Sequence, residues 1–81
     1  MIHLTLYSRV DCPLCEEMRH VVELVGRETP LSLEVVDVDT DAALVAAYGD
    51  EVPVLCVEGR KAFVARVEAS ALRARLAAEL H

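Results

Sequence analysis

Asparagine and glutamine are missing from this sequence, and Lys61 is its only lysine. Loss of thermolabile amides fits a hot source, whereas scarcity of lysine does not, and a GC-rich genome explains both. There is no internal repeat, no low-complexity tract and no linker. No apolar run approaches the ~18 residues of a bilayer-spanning helix. The stretch Met1–Tyr7 lacks a basic region and a small-residue cleavage site, so the expectation is an unprocessed, cytoplasmic chain. Positive charge is also short: 8 bases stand against 14 acids, a net charge of −6. That balance argues against nucleic acid or an anionic membrane as the main partner. What is present is 81 residues, 54% of them hydrophobic. This is enough for one domain, residues 1–81, with a small core, and too apolar for disorder.

The three cysteines are Cys12, Cys15 and Cys56. A secreted disulfide scaffold of this size would carry more, usually an even number. A Cys-x-x-Cys pair with one cysteine left over suits a reducing compartment, where such a pair is more often catalytic or metal-binding than structural.

Ile2, Leu4 and Leu6 alternate with His3, Thr5 and Tyr7, the pattern of a strand. Pro13 suits a first helical position, and Leu14, Met18, Val21, Val22 and Val25 recur at helical spacing up to Gly26 and Thr29-Pro30. Leu31–Val38 is rich in β-branched residues and predicts a second strand. Asp39-Thr40-Asp41 offers caps for a short helix, Ala42–Tyr48, closed by Gly49. Pro53 opens a third strand, Val54–Val57. Across the turn Glu58-Gly59-Arg60, Lys61–Ala65 pairs with it as an antiparallel hairpin. Leu72, Leu76 and Leu80 stripe a last helix, with Arg73, Arg75 and Glu79 outward. The order βαβαββα predicts an α/β fold, a four-stranded mixed sheet with flanking helices, with parallel pairing across both early crossovers.

The first cysteine closes the turn after strand one, and the second lies one helical turn on. At a helix start, unpaired backbone N–H groups and the positive end of the dipole favour a thiolate at Cys12. Cys15 is near enough to close a disulfide and is shielded by the helix. Attack by Cys12 and resolution by Cys15 is the chemistry this arrangement serves. A zinc site needs four ligands; the sequence offers no second Cys-x-x-Cys, His20 falls on another helix face, and His3 and His81 have no partners. A metal held between two copies, or an inert pair, are the other readings. Cys56, within Val54-Leu55-Cys56-Val57, reads as a core thiol, with a regulatory thiol as the alternative. Asp37, Asp39 and Asp41 lack the glycine and distal glutamate of a calcium loop and read as a capped surface turn.

Tyr7-Ser8-Arg9, then Cys12-Pro13-Leu14-Cys15, then Val52-Pro53-Val54-Leu55 resemble the short bacterial glutaredoxin-like proteins of the thioredoxin superfamily, and the likeness spans essentially the whole chain. It implies a thioredoxin-like fold, Cys12 as nucleophile and Cys15 as resolving thiol. It implies a cis Val52-Pro53 bond beside the cysteines, with the Val52 backbone free to pair with an extended substrate. Arg9 matches a basic position that favours the thiolate and attracts a glutathione carboxylate; otherwise it is a solvated surface charge.

Three departures qualify the likeness. Glu51-Val52 precedes the proline where threonine is common. Leu14 stands where an aromatic is usual. Ala65-Arg66-Val67-Glu68-Ala69 replaces a Gly-Gly-acid segment that holds glutathione, which implies a weak glutathione site. Asp11 beside Cys12 either opposes the thiolate or is a turn residue.

The function expected is a thiol–disulfide oxidoreductase acting as a monomer on protein or small-molecule disulfides. It needs no resident cofactor, with glutathione at most a co-substrate and a thiol reductase or glutathione as electron donor. The rivals are a metal or iron–sulfur carrier bridging two chains through Cys12, and a slow-turnover interaction module.

Overall fold

A computed structural model describes residues 1–80; His81, for which no metal partner is expected, lies outside the described residues. The elements are β1 (Ile2–Ser8), α1 (Pro13–Gly26), β2 (Leu31–Asp37), a single 3₁₀ turn (Val38–Thr40), α2 (Ala42–Tyr48), β3 (Val54–Val57), β4 (Arg60–Val64) and α3 (Ala69–Glu79). The order βαβαββα is the one read from the sequence. The four strands form one sheet in the order β2-β1-β3-β4.

Of the two crossovers expected to be parallel, only the first is. β1 and β2 run parallel from Ile2↔Leu31 to Ser8↔Asp37, whereas β3 runs antiparallel to β1, from Tyr7↔Val54 to Leu4↔Val57. The reason lies in the length of α2. Its seven residues cover about 10 Å, less than half of the ~23 Å of a seven-residue strand. The chain leaves β2 at the sheet end where Ser8 lies and re-enters β3 opposite Tyr7, at that same end. The sheet is therefore mixed with one parallel pair.

Alternation places Ile2, Leu4 and Leu6 of β1 and Leu55 and Val57 of β3 on one face. There they meet Met18, Val22 and Val25 of α1 and Leu72 and Leu76 of α3 in one core. This is the apolar stripe of each helix meeting the apolar face of the sheet. The other face carries Thr5, Tyr7 and Cys56. α2 meets it through Tyr48, which stacks on Tyr7 with centroids 4.1 Å apart and planes 16° from parallel.

Boundaries depart from expectation in three places. β2 stops at Asp37, and Val38 turns inward, fully buried. The Asp37 carboxylate accepts the Asp39 N–H at 2.9 Å and its carbonyl accepts the Thr40 hydroxyl at 2.7 Å; such local bonds compete with the ladder. β4 runs Arg60–Val64, one residue earlier at each end than the expected Lys61–Ala65, while α1 ends at Gly26 as expected. Leu80 follows the end of α3 and is exposed, so the core stripe of that helix is Leu72 and Leu76. Arg75 and Glu79 pair with each other and are half-buried on the flank of α3, whereas Arg73 reaches Glu28 at 2.7 Å.

The β3–β4 hairpin turns through Glu58 and Gly59, both at positive φ (51° and 78°). Consecutive left-handed residues match the right-handed twist of the strands, and glycine takes that conformation at no steric cost. In β4 Ala62 is the extra residue of a bulge, since Leu55 faces Phe63 but Cys56 faces Lys61. The bulge sends Phe63 to the core and Lys61 to the Cys56 face.

Candidate active site

The site is built at the end of β1. Ser8 is buried and closes the strand. Residues 9–12 then turn the chain into α1, with Asp11 in the left-handed region at φ 57°, a conformation aspartate tolerates better than most residues. Cys12 is the N-cap of α1 in extended backbone, and Pro13 opens the helix as expected.

Cys12 Sγ accepts the Cys15 backbone N–H at 3.1 Å. Sulfur thus takes the capping role that a Ser or Asp oxygen usually fills. Cys12 and Cys15 are joined in a disulfide, with Cα atoms 5.2 Å apart, inside the range a disulfide spans without backbone movement. The two sulfurs are unequal: Cys15 is 3% exposed, Cys12 half-buried. The amide that caps Cys12 Sγ and the positive end of α1 both stabilise negative charge on that sulfur in the reduced state.

The Val52–Pro53 bond is cis, as the family likeness implied. Pro53 is buried and its carbonyl accepts the Ala65 N–H at 2.9 Å. Because Val54 registers with Tyr7, this segment sits at the sheet end that carries the cysteine loop. Among the described residues the Val52 N–H and C=O take no backbone partner.

Arg9 flanks the cysteines but its guanidinium is engaged elsewhere. Nε donates to Asp39 Oδ2 at 2.9 Å and Nη1 to the Gly49 carbonyl at 3.2 Å. Arg9 thereby ties the cysteine loop to both ends of the α2 region. Gly49 permits the approach: a Cβ there would fall 2.5 Å from the Val45 carbonyl oxygen and 3.3 Å from Arg9 Nη2. The three aspartates of the capped turn are each committed, Asp37 to Asp39 N–H, Asp39 to Arg9 and Asp41 to Ala43 N–H at 2.8 Å.

Two of the clefts along α1 adjoin its N-terminal half. The larger, about 790 Å³, is walled by Cys12 and Pro13 and opens toward β2, with Val10 and Val35 on its walls and Asp11, Glu16 and Asp37 at its edge. The smaller, about 200 Å³, lies between α1 and the start of α3, where the glycine-free segment runs. Ala65 holds φ 69° there, the backbone conformation a glycine would take without strain.

Cys56 is buried on the Tyr7 face of the sheet. Burial pushes its thiol up from the ordinary value, against smaller opposing pulls from the Tyr48 hydroxyl and the Lys61 charge. It stays protonated at neutral pH, which fits the core reading. Burial, with the neighbouring Tyr48, likewise raises Tyr7. Lys61 is raised chiefly by its hydrogen bond to Glu51, at 2.6 Å. Among the described residues no three His, Cys, Asp or Glu side chains converge as metal ligands, and no helix is long and apolar enough to cross a membrane.

The sequence reading missed the larger cleft and the Tyr7–Tyr48 stack. The β-branched run places Val35 in the second strand but says nothing of its 46% exposure, because nothing local says that α1 leaves that corner of the sheet uncovered.

A thioredoxin-like fold with a Cys-x-x-Cys pair at a helix N-terminus defines a class of redox-capable domains. Residues 3–77 match the family described as Glutaredoxin-like domain (DUF836), and the chain belongs to that family. Among solved structures it is similar to XcR50 of X. campestris, at 41% identity over 93% of this chain and 96% of that one, with a TM-score of 0.78. Ne2328 of Nitrosomonas europaea follows at 29% identity over 91% and 89%, with a TM-score of 0.80. A mutant thioredoxin of Halobacterium salinarum matches at 27% identity over 95% and 73%, with a TM-score of 0.67. No curated protein matches the chain.

Proposed function

We propose that this protein is a thiol–disulfide oxidoreductase that reduces protein or small-molecule disulfides through Cys12 and Cys15. The observation that supports it most is the unequal pair at the start of α1: a reachable sulfur capped by a backbone N–H, and a buried partner within bridging distance. In the reduced protein the Cys12 thiolate attacks one sulfur of a substrate disulfide. A Cys12–substrate disulfide forms, and the other substrate sulfur leaves as a thiolate and takes a proton. Cys15 then gives up its proton and attacks Cys12 Sγ, forming the Cys12–Cys15 disulfide and releasing the second substrate thiol. Two electrons pass to the substrate, and a thiol reductant restores the pair.

Pro53 and the unpartnered Val52 backbone support a substrate strand held beside the sulfurs. The reductant we favour is a flavin-dependent thioredoxin-type reductase, because the segment 65–69 lacks the glycines of a glutathione site. No resident cofactor enters this reaction. A monomer in the cytoplasm is the setting it suits.

The test is steady-state reduction of a disulfide substrate, coupled in parallel to a thioredoxin-type reductase and to glutathione with its reductase. Turnover faster with the first is expected. Faster turnover with glutathione alone overturns the choice of donor, and no turnover with either overturns the enzyme reading in favour of a binding module. Metal analysis after anaerobic purification tests the carrier reading.

A further inference from the structure

We infer that the larger cleft is a substrate-recognition site for a polypeptide disulfide whose cysteine is flanked by a basic and an apolar side chain. The inference rests on the proposed dithiol chemistry and names the substrate class for it.

The cleft is open and about 790 Å³ in volume, and Cys12 is one of its walls. The residues flanking a cysteine under attack by Cys12 are therefore within reach of this cleft. Its apolar surface is exposed: Val10 is 70% and Val35 46% exposed. Exposed valines beside a reactive sulfur offer burial to an aliphatic side chain of the substrate.

The edge of the cleft is acidic. Asp11, Glu16 and Asp37 line it, and Arg9 is the only base among its lining residues. Arg9 is in turn paired with Asp39 and bonded to the Gly49 carbonyl, so it leaves little positive field for an incoming anion. Glu16 has a partner only at 3.8 Å, Arg19 on the helix surface. A cleft of one sign concentrates ligands of the other sign and raises their association rate, and the net charge of −6 adds to it. The site thus discriminates against anionic disulfides, oxidised glutathione included, and toward cationic segments.

The test uses three peptides, Ac-Leu-Cys-Lys-amide and its Gln and Glu counterparts, each joined through cysteine to 2-thiopyridine. Reduced protein is mixed with each, and released pyridinethione is followed at low and high salt. The expected order is Lys, Gln, Glu, with on the order of tenfold between the extremes at low salt and a ratio that shrinks at high salt as screening sets in. Glu16→Gln narrows the Lys/Glu ratio and Glu16→Lys narrows it further. Because the ratio is internal, any change in the intrinsic reactivity of Cys12 cancels. Val35→Thr lowers the advantage of the Leu peptides over Gly-Cys-Lys peptides. Equal rates, a preference for Glu, or a ratio untouched by either Glu16 variant overturns the inference while leaving the dithiol chemistry standing. No release from any peptide overturns both.

Discussion

Replacing Arg9 by methionine separates two roles for that residue, a brace and a thiolate partner. Methionine keeps most of the aliphatic stem and removes the charge and the donors. Two interactions are lost. The ion pair with Asp39 joins side chains 38% and 49% exposed, so screening holds it below about 1 kcal/mol. The bond from Nη1 to the Gly49 carbonyl is part-buried, and a charged donor there contributes about 1.5 kcal/mol, the low end for its type. The sum, about 2 kcal/mol, is a large share of the ~4–12 kcal/mol available to a domain of this size. With a urea slope of about 1 kcal/mol/M for so short a chain, the unfolding midpoint falls by about 2 M. The same variant is then reduced and the alkylation rate of Cys12 measured against pH. Because Asp39 already balances the guanidinium, the rate–pH profile of Cys12 alkylation stays close to that of the parent. A profile displaced to higher pH with an unchanged urea midpoint refutes the brace and restores Arg9 as a thiolate partner.

Ala65 holds φ 69°, which costs a non-glycine residue about 1–2 kcal/mol; after the extra unfolded-state entropy of glycine, Ala65→Gly stabilises by about 0.5–1 kcal/mol in urea unfolding. An unchanged or lower midpoint contradicts the strain. Cys56 is raised above its ordinary value by burial, so the unfolded chain loses that proton first as pH rises. The stability involved is complete below about pH 8.5 and declines above it. Cys56→Ala, compared with the parent between about pH 8.5 and 10, removes part of that alkaline slope; parallel curves contradict it. In the oxidised native protein, Ellman's reagent leaves Cys56 unmodified at about pH 8 and reacts once urea unfolds the chain.

How far the sequence reaches depends on whether the cause is local. The alternation of Ile2, Leu4 and Leu6, the helical spacing from Leu14 to Val25, and Pro13 at the helix start are local, and each element forms where the pattern puts it. Asp41 caps α2 for the same reason. The direction of β3 is not local. It depends on whether seven residues of α2 can carry the chain back along the sheet, and they cannot. The end of β2 is set by the Asp37 carboxylate and carbonyl bonding within their own turn, a competition the β-branched run does not reveal. At the site, the cysteine pair was legible because it is encoded in adjacent residues, whereas the cis proline was legible only through the family likeness. The engagement of Arg9 by Asp39 and Gly49 spans 30 and 40 residues. The exposure of Val35 depends on where α1 stops covering the sheet. Both required the assembled chain.

The central claim is that Cys12 attacks and Cys15 resolves. Its most direct measurement is intact-mass analysis of the reduced Cys15→Ser and Cys12→Ser variants after incubation with one disulfide peptide. The account predicts that Cys15→Ser accumulates a single peptide adduct on Cys12, removed by dithiothreitol. It predicts that Cys12→Ser, whose remaining active-site sulfur is buried, accumulates none and reduces no substrate. Equal adducts on both variants, or an adduct on Cys15 alone, would contradict it.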